Sequence, residues 1–187
     1  MIVVTLRERL RQDTRDAHDA ADRACRAFEL DTKAGLGGYL LAQRQTAGAL
    51  LSATREADPL RPILEGACAD IDGDLAALAL EPPAPGRTTL PKSDHPLARS
   101  YVWLAAQFAT RMRARRWGGA PDGVEGDVGR YLRGVQAPTD WRAQTDALDA
   151  LSGRGREADR AMRAARDWFA ILEHGAVSAR RRADADA

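Results

Sequence analysis

Residues suited to strands are scarce in this chain of 187 residues: three phenylalanines, three tyrosines and four tryptophans, with β-branched residues few and scattered. Such a composition argues against a pleated sheet. Cysteine is nearly absent. Cys25 and Cys68 lie far apart, with no CxxC and no Cys/His cluster, which excludes a zinc site or redox motif and reads as two small buried thiols in a reducing compartment. Histidine occurs three times, too few for a clustered His/Cys metal site. Charge of one sign is lacking as well: 28 basic and 27 acidic side chains mostly alternate, so nucleic acid is not an expected partner. No long apolar run is present, because Ile2, Val3 and Val4 give way at once to Arg7, Glu8 and Arg9. A signal peptide or membrane span is therefore not expected, and the cytoplasm is the expected location. Walker loops, dinucleotide fingerprints and an ordered Ser/His/Asp set are also missing.

What is present favours helix. Alanine, leucine, arginine and aspartate dominate, and the expected fold is all-α, a single helical domain over residues 1–177 followed by a disordered tail over 178–187. Val3, Leu10, Ala17 and Ala24 recur every seven residues, with Thr14, Ala21 and Phe28 four positions after the last three, so one helix is predicted from about Thr5 to Phe28. Gly35, Gly37 and Gly38 predict a break before a second helix from Tyr39 to about Arg55. A third is predicted from about Ile63 to Leu80, and the prolines between Pro82 and Pro91, with Pro85 and Gly86 among them, predict a surface loop. Ser93 or Asp94 is the expected cap of a helix that has Pro96 in its first turn and runs to Trp117. Shorter helices are predicted from Asp127 to Arg133 and from Asp140, as cap, to Leu151, with Trp141 facing inward; the last is predicted from about Arg156 to His174.

The ridge Leu6, Leu10, Thr14, His18 and Asp22 steps by four residues along the first helix. His18 falls at the edge of the apolar stripe. Asp22, one turn on, is placed to interact with the imidazole, and Arg11, two turns before it, could meet an anionic ligand. A lone histidine at such an edge is also a common packing residue. His95 reads as a loop residue, His174 as a cation closing a helix, the arginines from Arg111 to Arg116 as a solvated helix end, and Trp103, Trp141 and Trp168 as core.

The run from Leu6 to Asp22, Leu-Arg-Glu-Arg-Leu-Arg-Gln-Asp-Thr-Arg-Asp-Ala-His-Asp-Ala-Ala-Asp, resembles the N-terminal helix of bacterial, biliverdin-producing heme oxygenases. The resemblance continues in order through Tyr39-Leu-Leu, Asp70-Ile-Asp-Gly-Asp-Leu, the Pro-rich loop, and a helix beginning Tyr101-Val and ending Ala114-Arg-Arg. It implies a heme-oxygenase-like fold in which heme is both substrate and cofactor, opened with O₂ and reductant to biliverdin, carbon monoxide and iron. Implied partners are a ferredoxin or reductase as electron donor and a bacteriophytochrome as recipient of product. His18 would be the axial ligand of the heme iron, Thr14 its neighbour, Asp22 the acid that orients it, and Arg11 a contact to a propionate.

The distal helix departs from that pattern. Where the family is rich in glycine, this chain has Ala105, Ala106, Gln107, Phe108, Ala109 and Thr110, which line the expected ring site with methyl groups and make a kink less expected. Ala106 stands where relatives carry a small polar or acidic residue, leaving Gln107 as the substitute catalytic group. The alternative implied is a degenerate relative that binds without opening the ring. A thiamin-degrading type of hydrolase on the same helices is a weaker reading, since no nucleophile and carboxylate set assembles around Cys25 or Cys68.

Overall fold

The computed structural model describes residues 4–83, 90–124, 126–135 and 141–185. Among these residues there are eight helices and no strand: α1 (Leu6–Asp13), α2 (Arg15–Arg26), α3 (Lys33–Ala53), α4 (Leu60–Ala77), α5 (Pro96–Ala114), α6 (Arg130–Gly134), α7 (Trp141–Asp149) and α8 (Arg156–Ala185). The fold is all-α. None of the helices is long and apolar enough to cross a membrane. Val3, Pro85, Gly86 and the expected cap Asp140 lie outside the described residues, as does the side chain of Trp141.

The first predicted helix is two helices. Thr5 opens α1 with a reciprocal capping box, its side chain accepting from the Glu8 amide while Glu8 accepts from the Thr5 amide. At Thr14 the backbone leaves helical geometry, and the buried hydroxyl donates to the Leu10 carbonyl at 2.7 Å. Such a back-bond bends a helix. Arg166 of α8 secures the bend by donating to the Asp13 carbonyl at 2.9 Å.

The glycines expected to break the chain lie inside α3, which Thr32 caps by accepting from the Gly35 amide at 3.0 Å. Their role is close approach. A Cβ on Gly35 would sit 2.0 Å from the Glu29 carbonyl oxygen, one on Gly37 2.4 Å from Leu80, and one on Gly38 2.8 Å from the Phe28 ring. Bare backbone here lets the start of α3 press against the turn that follows α2.

α3 and α8 form the central pair; α4 lies against α3, while α2 and α5 both lie against α8. One apolar core runs through all of them, with Trp168, Tyr39, Tyr131 and Phe169 its largest fully buried side chains. Each such aliphatic or aromatic side chain contributes roughly 1.5–3 kcal/mol when removed from water. α8 does not stop at His174, and the expected disordered tail from Ser178 is helical to Ala185, because Ala176 and Ala179 continue its buried stripe. The helix expected from Asp127 begins instead at Arg130, after Gly129 in a left-handed conformation with the Trp117 ring packed against it. Asp74 of α4 caps α6 across the fold. Its buried carboxylate accepts from the amides of Gly129 at 2.9 Å, Arg130 at 2.8 Å and Tyr131 at 3.0 Å. Burial pushes this carboxyl above its ordinary range, with the three amide donors pulling the other way.

α5 is capped by His95, not by Ser93 or Asp94, and Pro96 takes the first helical position. His95 is therefore no loose loop residue; only 9% of it is exposed. α5 then runs as one uninterrupted helix to Ala114.

Candidate ligand cleft

α2 and α5 both lie against α8, and His18 of α2 borders the space between them. Its imidazole meets the Phe169 ring of α8 edge-on, with centroids 5.3 Å apart and planes at 87°. The side chain is 39% exposed, and its Nδ1 lies 3.4 Å from the Asp19 carboxylate. With Nδ1 turned to that acid, Nε2 is the nitrogen left to offer a lone pair.

Three spaces meet at His18 and Ala105. The innermost, about 20 Å³, lies among His18, Cys25, Tyr39, Gln43, Ala106 and Ala109. A wider cleft of about 780 Å³ opens toward Phe28, Thr32, Met112 and Trp117. On the other side a cleft of about 460 Å³ opens toward Arg7, Arg11, Tyr101 and Leu148. Phe108, 53% exposed, borders both wide clefts. Both fall within the size range of small-molecule and cofactor sites. The arrangement is a slot between two helices, pinched at a waist where alanine methyls face an imidazole.

Of the residues expected here, His18, Asp22, Arg11, Ala105, Ala106 and Ala109 line these spaces. Three others do not. Thr14 is buried beneath the slot, its hydroxyl donating to the Leu10 carbonyl. Thr110 faces the bundle, where its hydroxyl pairs with Tyr39 at 2.7 Å and donates to the Ala106 carbonyl at 2.8 Å. Gln107 also turns inward and donates to the Tyr131 hydroxyl at 2.9 Å, which in turn donates to Gln43 at 3.2 Å. On a helix these positions are rotated away from Ala105 and Ala109, so Gln107 cannot be the polar group of the distal wall.

Asp22 reaches the slot, but its carboxylate pairs with Arg26 at 2.5 Å, one turn further along α2. The acid beside the imidazole is Asp19. Arg11 stands exposed at the rim, engaged in no ion pair among the described residues, whereas its neighbour Arg7 pairs with Asp149 at 2.7 Å.

Arg113 differs most from the expected solvated helix end. It donates to the Cys25 carbonyl and, at 2.7 Å, to the Phe28 carbonyl, and lies 4.6 Å above the Tyr39 ring. It thus satisfies the carbonyls at the end of α2 from the facing helix and sets the spacing of the slot. Arg111 likewise donates to the Val135 carbonyl at 2.9 Å, leaving Arg115 and Arg116 exposed. The apolar stripe of the last helix marks Phe169 as core, but its contact with His18 and the role of Arg113 carry no local signal, since both act through residues far away in the chain.

Cys25 faces the inner space. Burial pushes its thiol up to about 11, so it is neutral and a poor nucleophile at ordinary pH. Among the described residues no three His, Cys, Asp or Glu side chains converge as metal ligands. No protein-family model, no curated protein and no solved structure matches the chain.

Proposed function

We propose that this chain has a heme-oxygenase-like architecture and binds heme in the slot between α2 and α5, with His18 as the protein ligand, acting in the cytoplasm as a binding or regulatory module that does not open the ring. The observation carrying this reading is the pairing of an accessible imidazole on one helix with a wall of bare alanines on the other. A porphyrin supplies four nitrogens of its own, so one histidine suffices where no cluster of protein ligands exists. Arg11 at one mouth, or Arg116 at the other, is a cation suited to the carboxylates that such a ring carries on one edge. Bound heme would supply a redox-active iron centre.

The chain's own residues argue for binding and not for turnover. Ala105, Ala106 and Ala109 have no side-chain hydrogen-bond donor, and Gln107 and Thr110 are committed to Tyr131 and Tyr39. The alanines of the α5 wall cannot hold or hand over a proton at the waist, and Arg113 beside them is committed to the Cys25 and Phe28 carbonyls. The waist is also narrow, so seating a flat ring must part α2 from α5.

Hemin titration into wild type and His18→Ala tests the reading. Saturable growth of an intense violet absorption band in wild type, absent in His18→Ala, is expected; identical non-saturating spectra overturn it. Loaded protein supplied with ascorbate, or with ferredoxin and its reductase, should keep that band. Its replacement by a bilin spectrum would reinstate ring opening and refute the module.

A further inference from the structure

The segment leading into α5 is fastened to α8 at three successive residues. The Ser93 amide donates to Asp167 at 2.9 Å, the Trp168 indole donates to Asp94 at 3.0 Å, and His95 Nε2 lies 2.7 Å from Glu157 Oε1. His95 is also the N-cap of α5, its Nδ1 accepting the Leu97 amide at 3.2 Å. An amide can only donate, so Nδ1 must be bare and the single ring proton must sit on Nε2, where Glu157 accepts it. One imidazole thus caps a helix as acceptor and ties it to α8 as donor. It can do both only while neutral.

We propose that His95 is an acid-sensitive latch on α5: protonation at Nδ1 abolishes the N-cap and frays the first turn of the helix, while Nε2–H keeps its tie to Glu157 of α8. The Leu97 amide has no partner within the helix, so losing the cap leaves it facing another N–H. A cation placed at a helix N-terminus is also opposed by the helix dipole.

The surrounding charges do not reverse this. Glu157 favours the imidazolium, but its side chain is 69% exposed and is shared with Arg160 at 3.6 Å. Asp94 is taken up by Arg99, which also lies 3.5 Å from Asp58 in the turn before α4. Asp167 is occupied by the Ser93 amide. Because α5 carries the alanine wall of the slot, loss of the cap frays the N-terminal end of the helix that bears that wall.

Amide hydrogen exchange followed by NMR tests the latch on the intact chain. Between about pH 7.5 and about pH 5, protection of Leu97 relative to mid-helix Ala106 should fall about fivefold to tenfold, the size of a lost N-cap. His95→Asn retains a capping acceptor without a titrating ring, so its ratio should stay flat. A wild-type ratio that does not change, or an equal fall in His95→Asn, overturns the latch. Ring ¹⁵N shifts of wild type at neutral pH give a second check: a bare Nδ1 and protonated Nε2 are expected, and the opposite tautomer refutes the proposal.

Discussion

The Asp74 carboxylate of α4 gathers the backbone amides of Gly129, Arg130 and Tyr131 at the start of α6. A helix of five residues cannot hold itself together. It exists because a distant acid satisfies three of its free donors and places a negative charge at its N-terminus. Tyr131, thereby positioned, receives Gln107 and braces α5 from behind the slot.

Removing that acid should therefore loosen α6 and the back of α5 together. Asp74→Ala is expected to cost about 3 kcal/mol, because buried amides lose a charged acceptor. Asp74→Asn, which keeps one acceptor oxygen, should cost less. Urea denaturation of the two variants measures both, and equal stabilities to wild type would refute the capping role.

The edge-on contact of Phe169 with His18 orients the imidazole. Phe169→Leu keeps an apolar core residue and should cost about 1–2 kcal/mol in stability. Hemin affinity should fall several-fold as the ring loses its support, while His18 remains in place. Unaltered affinity in the titration would show that the ring contact does not position the ligand.

Ala109 and Thr110 are neighbours with opposite expected effects. Ala109→Gly removes a methyl from the waist and should tighten hemin binding, at a helix cost of about 0.5–1 kcal/mol. Thr110→Val strands the Tyr39 hydroxyl and should destabilise by about 1–3 kcal/mol without changing affinity. Parallel titrations and thermal melts separate the two; tighter binding by Thr110→Val would place that side chain at the slot after all.

Cys25 makes stability fall in alkali. Its folded thiol is pushed up to about 11 by burial, so from the ordinary thiol range upward the unfolded chain sheds a proton that the folded chain keeps. The contribution is complete below the unfolded value and lost as pH climbs to the folded one. Tyr39 and Tyr131, also raised by burial, add to the loss higher still. Urea midpoints of wild type and Cys25→Ala measured from about pH 8 to about pH 10 should show a shallower decline in the variant; parallel declines would show that the thiol is not held protonated.

Local periodicity was enough to read the helices. The apolar spacing from Tyr39 to Leu51 or from Ala158 to Leu172, and the turn chemistry of Pro96, act within a few residues. So does the ridge that places His18 at the edge of a stripe. Tertiary structure alone decided the rest. Thr14 divides the first helix because its back-bond is reinforced by Arg166 of α8. Gly35, Gly37 and Gly38 continue a helix because Glu29, Leu80 and Phe28 crowd against it. Gln107 and Thr110 turn from the slot because Tyr131 and Tyr39 wait on the other side, and Asp22 prefers Arg26 to His18. A sequence records which residues share a helical face; which neighbour that face meets depends on chain segments tens of residues away, and their packing chooses each polar group's partner.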